Sequence, residues 1–248
     1  MQIKPRQEEI LTILNQNGYA TVKYLVDQLH YSSATINRDL NSLELQGYVK
    51  RTHGGVEAIK SHYVPISFRS HQMHSSKRRI AKLASEFVKD GDVIFIDAST
   101  TSQYMEQFLA TKKDLTVITN NAILACNLAN LGIKSICLGG EVVEPPSMLG
   151  GTDAVLNASR YKTNKMFFST TAINDDGEIA SGIYELLLKT IASQSEEVFY
   201  LVHENKFNQP FNVVYGDLKS VDVVISDFDF PQKTKERYKS TSFYTVKD

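Results

Sequence analysis

The first 45 residues place apolar side chains at helical intervals three times over. Ile10, Leu11, Ile13 and Leu14 share one face, and that stretch closes at Asn17-Gly18, a pair suited to a helix C-terminus. Val22, Leu25, Val26 and Leu29 make a second face, with Thr21 in the N-cap position. Ile36, Leu40 and Leu43 make a third, opened by Ser32 as N-cap. Only His30-Tyr31-Ser32 separates the second pattern from the third, which is the spacing of a helix-turn-helix. Residues 47–58 then read as two short strands around a turn at Gly54-Gly55, a wing after the third helix.

Further on the pattern changes. Apolar runs occur at 93–96, 115–118, 135–138, 166–168, 198–202 and 221–225, rich in β-branched and aromatic residues and mostly without alternation. Such runs predict strands buried on both faces of a parallel sheet. Helical patterns lie near 77–89, 101–110, 121–131 and 182–195. The expected fold is therefore a small winged helix-turn-helix N-terminal domain plus a larger doubly wound, mainly parallel α/β C-terminal domain. The boundaries follow as 1–58 for the first domain, 59–76 for a linker and 77–248 for the second. The linker is placed where periodicity fails and Pro65 and several Ser residues gather.

Composition narrows the function classes. A chain of 248 residues with 42% hydrophobic and 22% charged residues can build two cores and is not a disordered tail. No apolar run reaches the roughly 18 residues that span a bilayer, and the N-terminus lacks a secretory apolar segment. No membrane partner is expected, and the location is read as cytoplasmic. Cys126 and Cys137 are too few for a disulfide scaffold or a four-cysteine zinc site. His71 and His74 lie three apart without further ligands beside them, so no metal is expected. Neither GxGxxG nor a Walker A pattern occurs, so no nucleotide cofactor is expected.

Charge separates the two halves. Residues 1–82 hold 12 Lys+Arg and 6 Asp+Glu, a net of +6, and residues 83–248 hold 15 and 22, a net of −7, which sum to −1. A basic head on an acidic body suits contact between the head and a polyanion. The outward face of the third helix carries Ser33, Thr35, Asn37, Arg38 and Asn41, short polar groups and one Arg that can reach base edges and phosphates. Ser32, Ser33, Thr35, Asn37 and Arg38 are the expected contacts of this helix with double-stranded DNA. Lys50, Arg51 and His53 are the expected wing contacts, to phosphates or the minor groove.

In the body, ligands of an open parallel sheet are expected at the carboxyl ends of strands. Those ends read Asp97-Ala98-Ser99-Thr100-Thr101-Ser102, then Thr119-Asn120-Asn121, then Gly139-Gly140 with Gly150-Gly151 further on, and finally His203-Glu204-Asn205-Lys206. Hydroxyls and N–H groups at a helix start, close-approaching glycine backbone and one cation together suit a small anion. The expected effector site is Asp97, Ser99, Thr100, Thr101, Asn120, Gly139, Gly140, Gly150 and Lys206. Ser99-Thr100-Thr101 and Lys206 would take the anion, and the resemblance described below implies that it is the phosphate of a sugar whose hydroxyls Asp97 and Asn120 would bond.

The stretch from Tyr31 through Ser32-Ser33-Ala34-Thr35-Ile36-Asn37-Arg38-Asp39-Leu40, then Leu43-Glu44, Gly47 and Arg51-Thr52-His53-Gly54-Gly55, resembles the signature of DeoR-family transcriptional regulators. The resemblance covers nearly the whole chain. It implies a DNA-binding head and an effector domain similar in fold to ribose-5-phosphate isomerase and its relatives. It also implies a phosphorylated sugar or related metabolite as effector, and repression relieved by that ligand. Four positions depart from the family pattern. Asn37 stands for the first Arg of an Arg-Arg pair, Ser99 for a Gly, Asn164 for an Asp, and His203 for the Asp of an Asp-x-x-Lys-Phe motif completed here by Lys206 and Phe207.

Two functions remain in view. One is a sequence-specific regulator, a repressor of a carbohydrate-metabolism operon controlled by a phosphorylated metabolite. The other is a sugar-phosphate isomerase carrying a DNA-binding head. The enzyme needs a poised base. Asp97, Glu185, Glu204 and His203 are available, but nothing makes two of them converge, so no catalytic residue is assigned. A third arrangement, in which the body serves only to oligomerise, would bind no sugar phosphate. One helix-turn-helix covers few base pairs, so a homo-oligomer, dimer or tetramer, is expected.

Overall fold

The protein is seen here as a computed structural model that describes residues 5–45, 48–52, 54–58, 73–144, 147–180, 182 and 184–246. The chain divides into two compact units, Met1–Gln72 and Met73–Asp248.

In the first unit the order is α1 (Pro5–Asn17), β1 (Tyr19–Ala20), α2 (Val22–Leu29), α3 (Ser33–Leu45), β2 (Val49–Thr52) and β3 (Gly55–Ala58). Gly18 ends α1 at φ 73° and returns its N–H to Leu14 O at 2.8 Å. The Thr21 hydroxyl accepts the Tyr24 N–H at 3.0 Å and caps α2. The Ser32 hydroxyl accepts the Thr35 N–H at 3.2 Å and caps α3. Each such cap is worth about 1 kcal/mol. Ile10, Leu11, Leu14, Leu25, Ile36, Leu40 and Leu43 meet Val49 and Val56 in one core, while Ile13, Val22, Val26 and Leu29 pack at its margin.

The wing pairs β2 with β3 antiparallel, and β1 joins the outer side of β3. Thr52 pairs with Gly55, so Gly55 belongs to the ladder and not to the turn. A side chain at Gly55 would overlap the Tyr19 ring and the Ala20 carbonyl, which explains the glycine. Asp39 is buried in an ion pair with Arg6, whose guanidinium lies 5.1 Å over the Tyr31 ring. That ties α1 to α3 and keeps the carboxylate off the outward helix face.

The second unit runs α4 (His74–Glu86), β4 (Val93–Ile96), a 3₁₀ turn (Ser102–Met105), α5 (Glu106–Leu109), β5 (Thr116–Thr119), α6 (Ala122–Asn130) and β6 (Lys134–Cys137). It continues with β7 (Glu141–Glu144), β8 (Met148–Gly150), α7 (Gly151–Ala158), β9 (Thr163–Phe168), β10 (Glu178–Ala180), α8 (Glu185–Ala192) and β11 (Ser195–Val202). It ends with β12 (Val214–Asp217), β13 (Val223–Ser226), α9 (Gln232–Arg237) and β14 (Ser242–Thr245).

A 7-stranded sheet in the order β14-β13-β11-β9-β4-β5-β6 forms the centre, and each of its pairings is parallel. Alternate residues point to opposite faces. Phe95, Met166, Phe168, Tyr200 and Val224 pack with Ala154, Ala158, Leu187, Leu188 and Ile191 of α7 and α8. Ile94, Ile96, Phe167, Phe199, Leu201 and Ile225 pack with Ile80, Ala81 and Ala84 of α4 and Leu124 and Leu128 of α6. Both faces are covered, which accounts for the apolar runs.

The six expected strands are present, shifted by up to three residues at their starts. The helical pattern at 101–110 forms only a 3₁₀ turn and one short helix. The helix expected near 77 begins at His74, inside the stretch read as linker, and residues 59–72 of that stretch lie outside the described residues. Among the described residues, no helix is long and apolar enough to cross a membrane.

The strand order positions the site. From β4 the chain moves through β5 to β6 on one side, and from β9 through β11 and β13 to β14 on the other. β4 and β9 are neighbours whose following connections diverge, the point at which open sheets of this kind bind ligands beyond the carboxyl ends of their strands.

Candidate functional site

On the first unit, Ser33, Ala34, Arg38 and Asn41 are exposed along α3, with Thr35 and Asn37 half-buried beside them. Lys50 is exposed on β2, and His53 lies outside the described residues. Arg51 does not stand apart on the wing. Its guanidinium donates from Nη2 to Asn37 Oδ1 and from Nη1 to Asn41 Oδ1, and its backbone N–H donates to Glu44 Oε1 at 2.8 Å. Asn37 Nδ2 in turn donates to Ser33 O at 2.9 Å and Ser33 Oγ at 3.3 Å. One flank of α3 and the first wing strand thus form a single polar network. Ser32 and Thr35 share a hydroxyl hydrogen bond of 2.8 Å.

On the second unit, the β4 loop and the loop after β9 meet at the divergence. Asp97 is fully buried. Its carboxylate accepts from Ser102 Oγ, from the Ser169 N–H at 3.3 Å and from Tyr184 Oη at 3.1 Å. Burial raises the Asp97 carboxyl above its ordinary value, while the Ser102 and Ser99 hydroxyls and the Ser169 and Ser99 N–H groups pull it back. Asn120 is also fully buried. Its Oδ1 accepts the Ala98 N–H at 2.9 Å and its Nδ2 donates to Leu149 O at 2.9 Å. Both residues were expected on sugar hydroxyls. In the structure their polar atoms engage protein groups and brace the loops after β4, β5 and β9 and the strand β8.

The hydroxyl loop itself is held by two cations. Lys77 of α4, 1% exposed, donates from Nζ to Thr100 Oγ1 at 3.0 Å. Lys206, just after β11, donates to Ser169 Oγ at 2.7 Å and to Thr101 Oγ1 at 3.3 Å. His203 is 7% exposed, and its Nδ1 has no hydrogen-bond partner. Burial, with the charges of Lys206 and Lys77, lowers the imidazole to about 2, so the ring is neutral.

The structure therefore brings together Asp97, Ser99, Thr100, Thr101 and Lys206 of the expected set. Gly139 has open space beside its Cα, at φ 71°. Gly140 and Gly150 instead pack on each other: a side chain on Gly140 would strike the Gly150 carbonyl and Ala154. Lys77 and Ser169 were not expected in the site, and His203, read at its strand end and as an available base but not assigned to the site, lies beside Lys206 and Lys77. Lys77 had a legible signal, since it shares the helical stripe of Ile80, Ala81 and Ala84, where a lysine is out of place. Among the described residues no group of His, Cys, Asp and Glu could hold a metal ion, and His74 bonds Tyr104 Oη through Nδ1.

Comparison with known proteins matches the same two units. The model of the DeoR-like helix-turn-helix domain matches residues 6–62, and that of the DeoR C terminal sensor domain matches residues 72–228. The chain is 32% identical over 233 residues to the uncharacterized HTH-type transcriptional regulator YulB of Bacillus subtilis, covering 92% of this chain and 90% of that one. It is 30% identical over 246 residues to the L-fucose operon activator of Haemophilus influenzae, covering 97% and 98%. It is 28% identical over 232 residues to the glycerol-3-phosphate regulon repressor of Escherichia coli, covering 92% of each. Of the two functions open from the sequence, these matches favour the regulator over the enzyme. A head with a recognition helix and wing, a doubly wound sensor unit and full-length similarity to such regulators agree: the chain belongs to the DeoR family of transcriptional regulators.

Proposed function

We propose that this regulator represses a carbohydrate-metabolism operon by binding double-stranded operator DNA through α3 and the wing, and that a phosphorylated sugar or related metabolite releases it. Residues 1–58 serve DNA, the stretch expected at 59–76 links up to the start of α4 at His74, and the residues from there to 248 sense. Ser32, Ser33, Thr35, Asn37, Arg38, Lys50, Arg51 and His53 form the DNA surface. The names of the glycerol-3-phosphate regulon repressor and the lactose phosphotransferase system repressor support repression of a sugar operon.

The observation that carries the sensor reading is the pair of ammonium groups, Lys77 and Lys206, on the buried hydroxyls of Thr100 and Thr101 at the β4/β9 divergence. Two cations and the hydroxyls of Thr100, Thr101 and Ser169 suit the charge and acceptors of a phosphate dianion. The ligand acts on DNA only through its different affinity for two arrangements of the protein, typically about 1–3 kcal/mol. α4 carries Lys77 and begins at His74, directly after the first unit ends, so it is the element through which the loop addresses the head.

The heads act in pairs on a symmetric site, as a dimer or tetramer of the chain, because a second head multiplies affinity through effective concentration. The test is a pair of titrations on duplex DNA from upstream of the protein's own gene, with a panel of sugar phosphates. Thr100→Ala with Lys206→Ala should keep the DNA affinity and lose the response to every sugar phosphate that moves the parent. A double variant that responds like the parent places the pocket elsewhere.

A further inference from the structure

Asn37 occupies the outward flank of α3, where an amide could read adenine. That reading needs its carbonyl free to accept from adenine N6 and its NH₂ free to donate to N7. Neither is free. Oδ1 accepts from Arg51, and Nδ2 donates to the carbonyl of Ser33 at 2.9 Å.

The donor that this network does present is the Arg51 guanidinium. It has five N–H groups in a planar fork, of which one bonds Asn37 and one bonds Asn41. One hydrogen therefore remains on each terminal nitrogen, with the Nε–H besides. Its acceptors sit four residues apart on one helix flank, and the Arg51 backbone is pinned to Glu44 on the same flank. The long side chain is ordered before DNA arrives, so less rotamer entropy is lost on contact. A phosphate contact needs none of this, since a flexible cation on the wing tip serves it equally well. Asn37 stands where the family pattern has Arg, and it supplies an acceptor that aims a second basic residue.

We propose that Arg51 is a base-reading residue of the head, held by Asn37 and Asn41 and directed at the O6 and N7 acceptors of a guanine in the operator major groove. Asn37 is then a positioning residue that acts through Arg51. This inference rests on the reading that α3 enters the major groove, and it replaces the expectation that Arg51 meets phosphate or the minor groove.

The experiment selects binding sites from a library of random 30-base-pair duplexes, an arbitrary length of roughly three helical turns. The full chain and its Arg51→Lys, Arg51→Ala, Asn37→Ala and Arg38→Ala variants are compared. The parent chain should enrich a motif with an invariant guanine. Arg51→Lys keeps the charge and loses the fork, so it should relax that guanine alone and weaken the parent motif roughly 10- to 100-fold, with an unchanged salt slope. Asn37→Ala should relax the same position, which a merely structural role would not single out, and Arg38→Ala should relax a different one. A motif kept intact by both Arg51→Lys and Asn37→Ala would overturn the proposal, and Arg51→Ala losing affinity equally for all sequences would make Arg51 a phosphate contact. A parent chain that enriches no duplex would instead refute the major-groove reading from which the proposal starts.

Discussion

The Lys77 ammonium lies 3.0 Å from Thr100 Oγ1, with the lysine 1% exposed in the first turn of α4. A lysine on the core stripe of an amphipathic helix costs desolvation, and an apolar residue of similar length would pack there more cheaply. Its retention in this position fits a group whose use is to meet an anion. Lys77→Met keeps the stem and removes the charge. Loss of the Thr100 hydrogen bond costs about 1 kcal/mol, and relief of desolvation offsets it, so the unfolding free energy should change by less than about 2 kcal/mol. The response of DNA binding to sugar phosphates should nevertheless weaken by roughly tenfold or more. A variant with parental ligand response, measured by anisotropy of labelled DNA, would remove Lys77 from the site.

Asn120 should behave in the opposite way. Its side chain satisfies one buried N–H on the β4 loop and one buried carbonyl on β8, at 2.9 Å each. Asn120→Ala leaves both unsatisfied, at about 1–3 kcal/mol apiece. A loss of about 2–5 kcal/mol in urea unfolding is expected, with ligand response weakened only as the loops loosen. Asn120→Asp keeps the acceptor for Ala98 but cannot donate to Leu149, and should fall between the two. Parental stability in Asn120→Ala, with ligand binding lost, would return Asn120 to direct contact with the sugar.

Arg38 is exposed on α3, whereas Arg51 is tied to Asn37 and Asn41. Removal of a guanidinium that reads a base should cost about 1–3 kcal/mol in specific binding and leave stability unchanged within about 0.5 kcal/mol. Equal affinity of Arg38→Ala and parent for the same duplex would exclude it from the interface.

These residues also mark how far the sequence reaches. Caps at Thr21 and Ser32 and the apolar runs that became β4, β5, β6, β9, β11 and β13 are local signals, and each formed, the strands with starts shifted by up to three residues. β14 was missed because Ser242–Thr245 is an edge strand with exposed alternate residues, so no apolar run announces it. α7 was missed because it starts directly at Gly151, and Gly150-Gly151 was read as backbone that approaches a ligand. The effector loops were legible because strand ends are legible. Ser169 lay at such an end and was overlooked. The Arg51–Asn37 contact links positions 14 apart through the fold of the wing onto α3, and no local spacing encodes it.

His203 gives the site a pH signature with a definite sign. Its imidazole titrates near about 2 in the folded chain against 6.5 when unfolded. Below pH 6.5 the unfolded chain therefore takes up a proton that the folded chain refuses, and stability is lost as pH falls. The steepest slope one group allows is about 1.4 kcal/mol per pH unit, so up to about 2 kcal/mol disappears between pH 6.5 and 5. Asp97 works the other way. Its folded carboxyl is raised above 3.8, so the folded chain takes up that proton first and gains stability as the solution is acidified. The two effects overlap in the parent, but a difference between parent and His203→Gln isolates the histidine. Urea unfolding at pH 7.5, 6.5 and 5 should show the parent losing up to about 2 kcal/mol more than His203→Gln over the acid interval. The two should run parallel above pH 7. Parallel curves over the whole range would mean that His203 takes up its proton as readily folded as unfolded, and the neutral buried imidazole beside Lys206 and Lys77 would have to be abandoned.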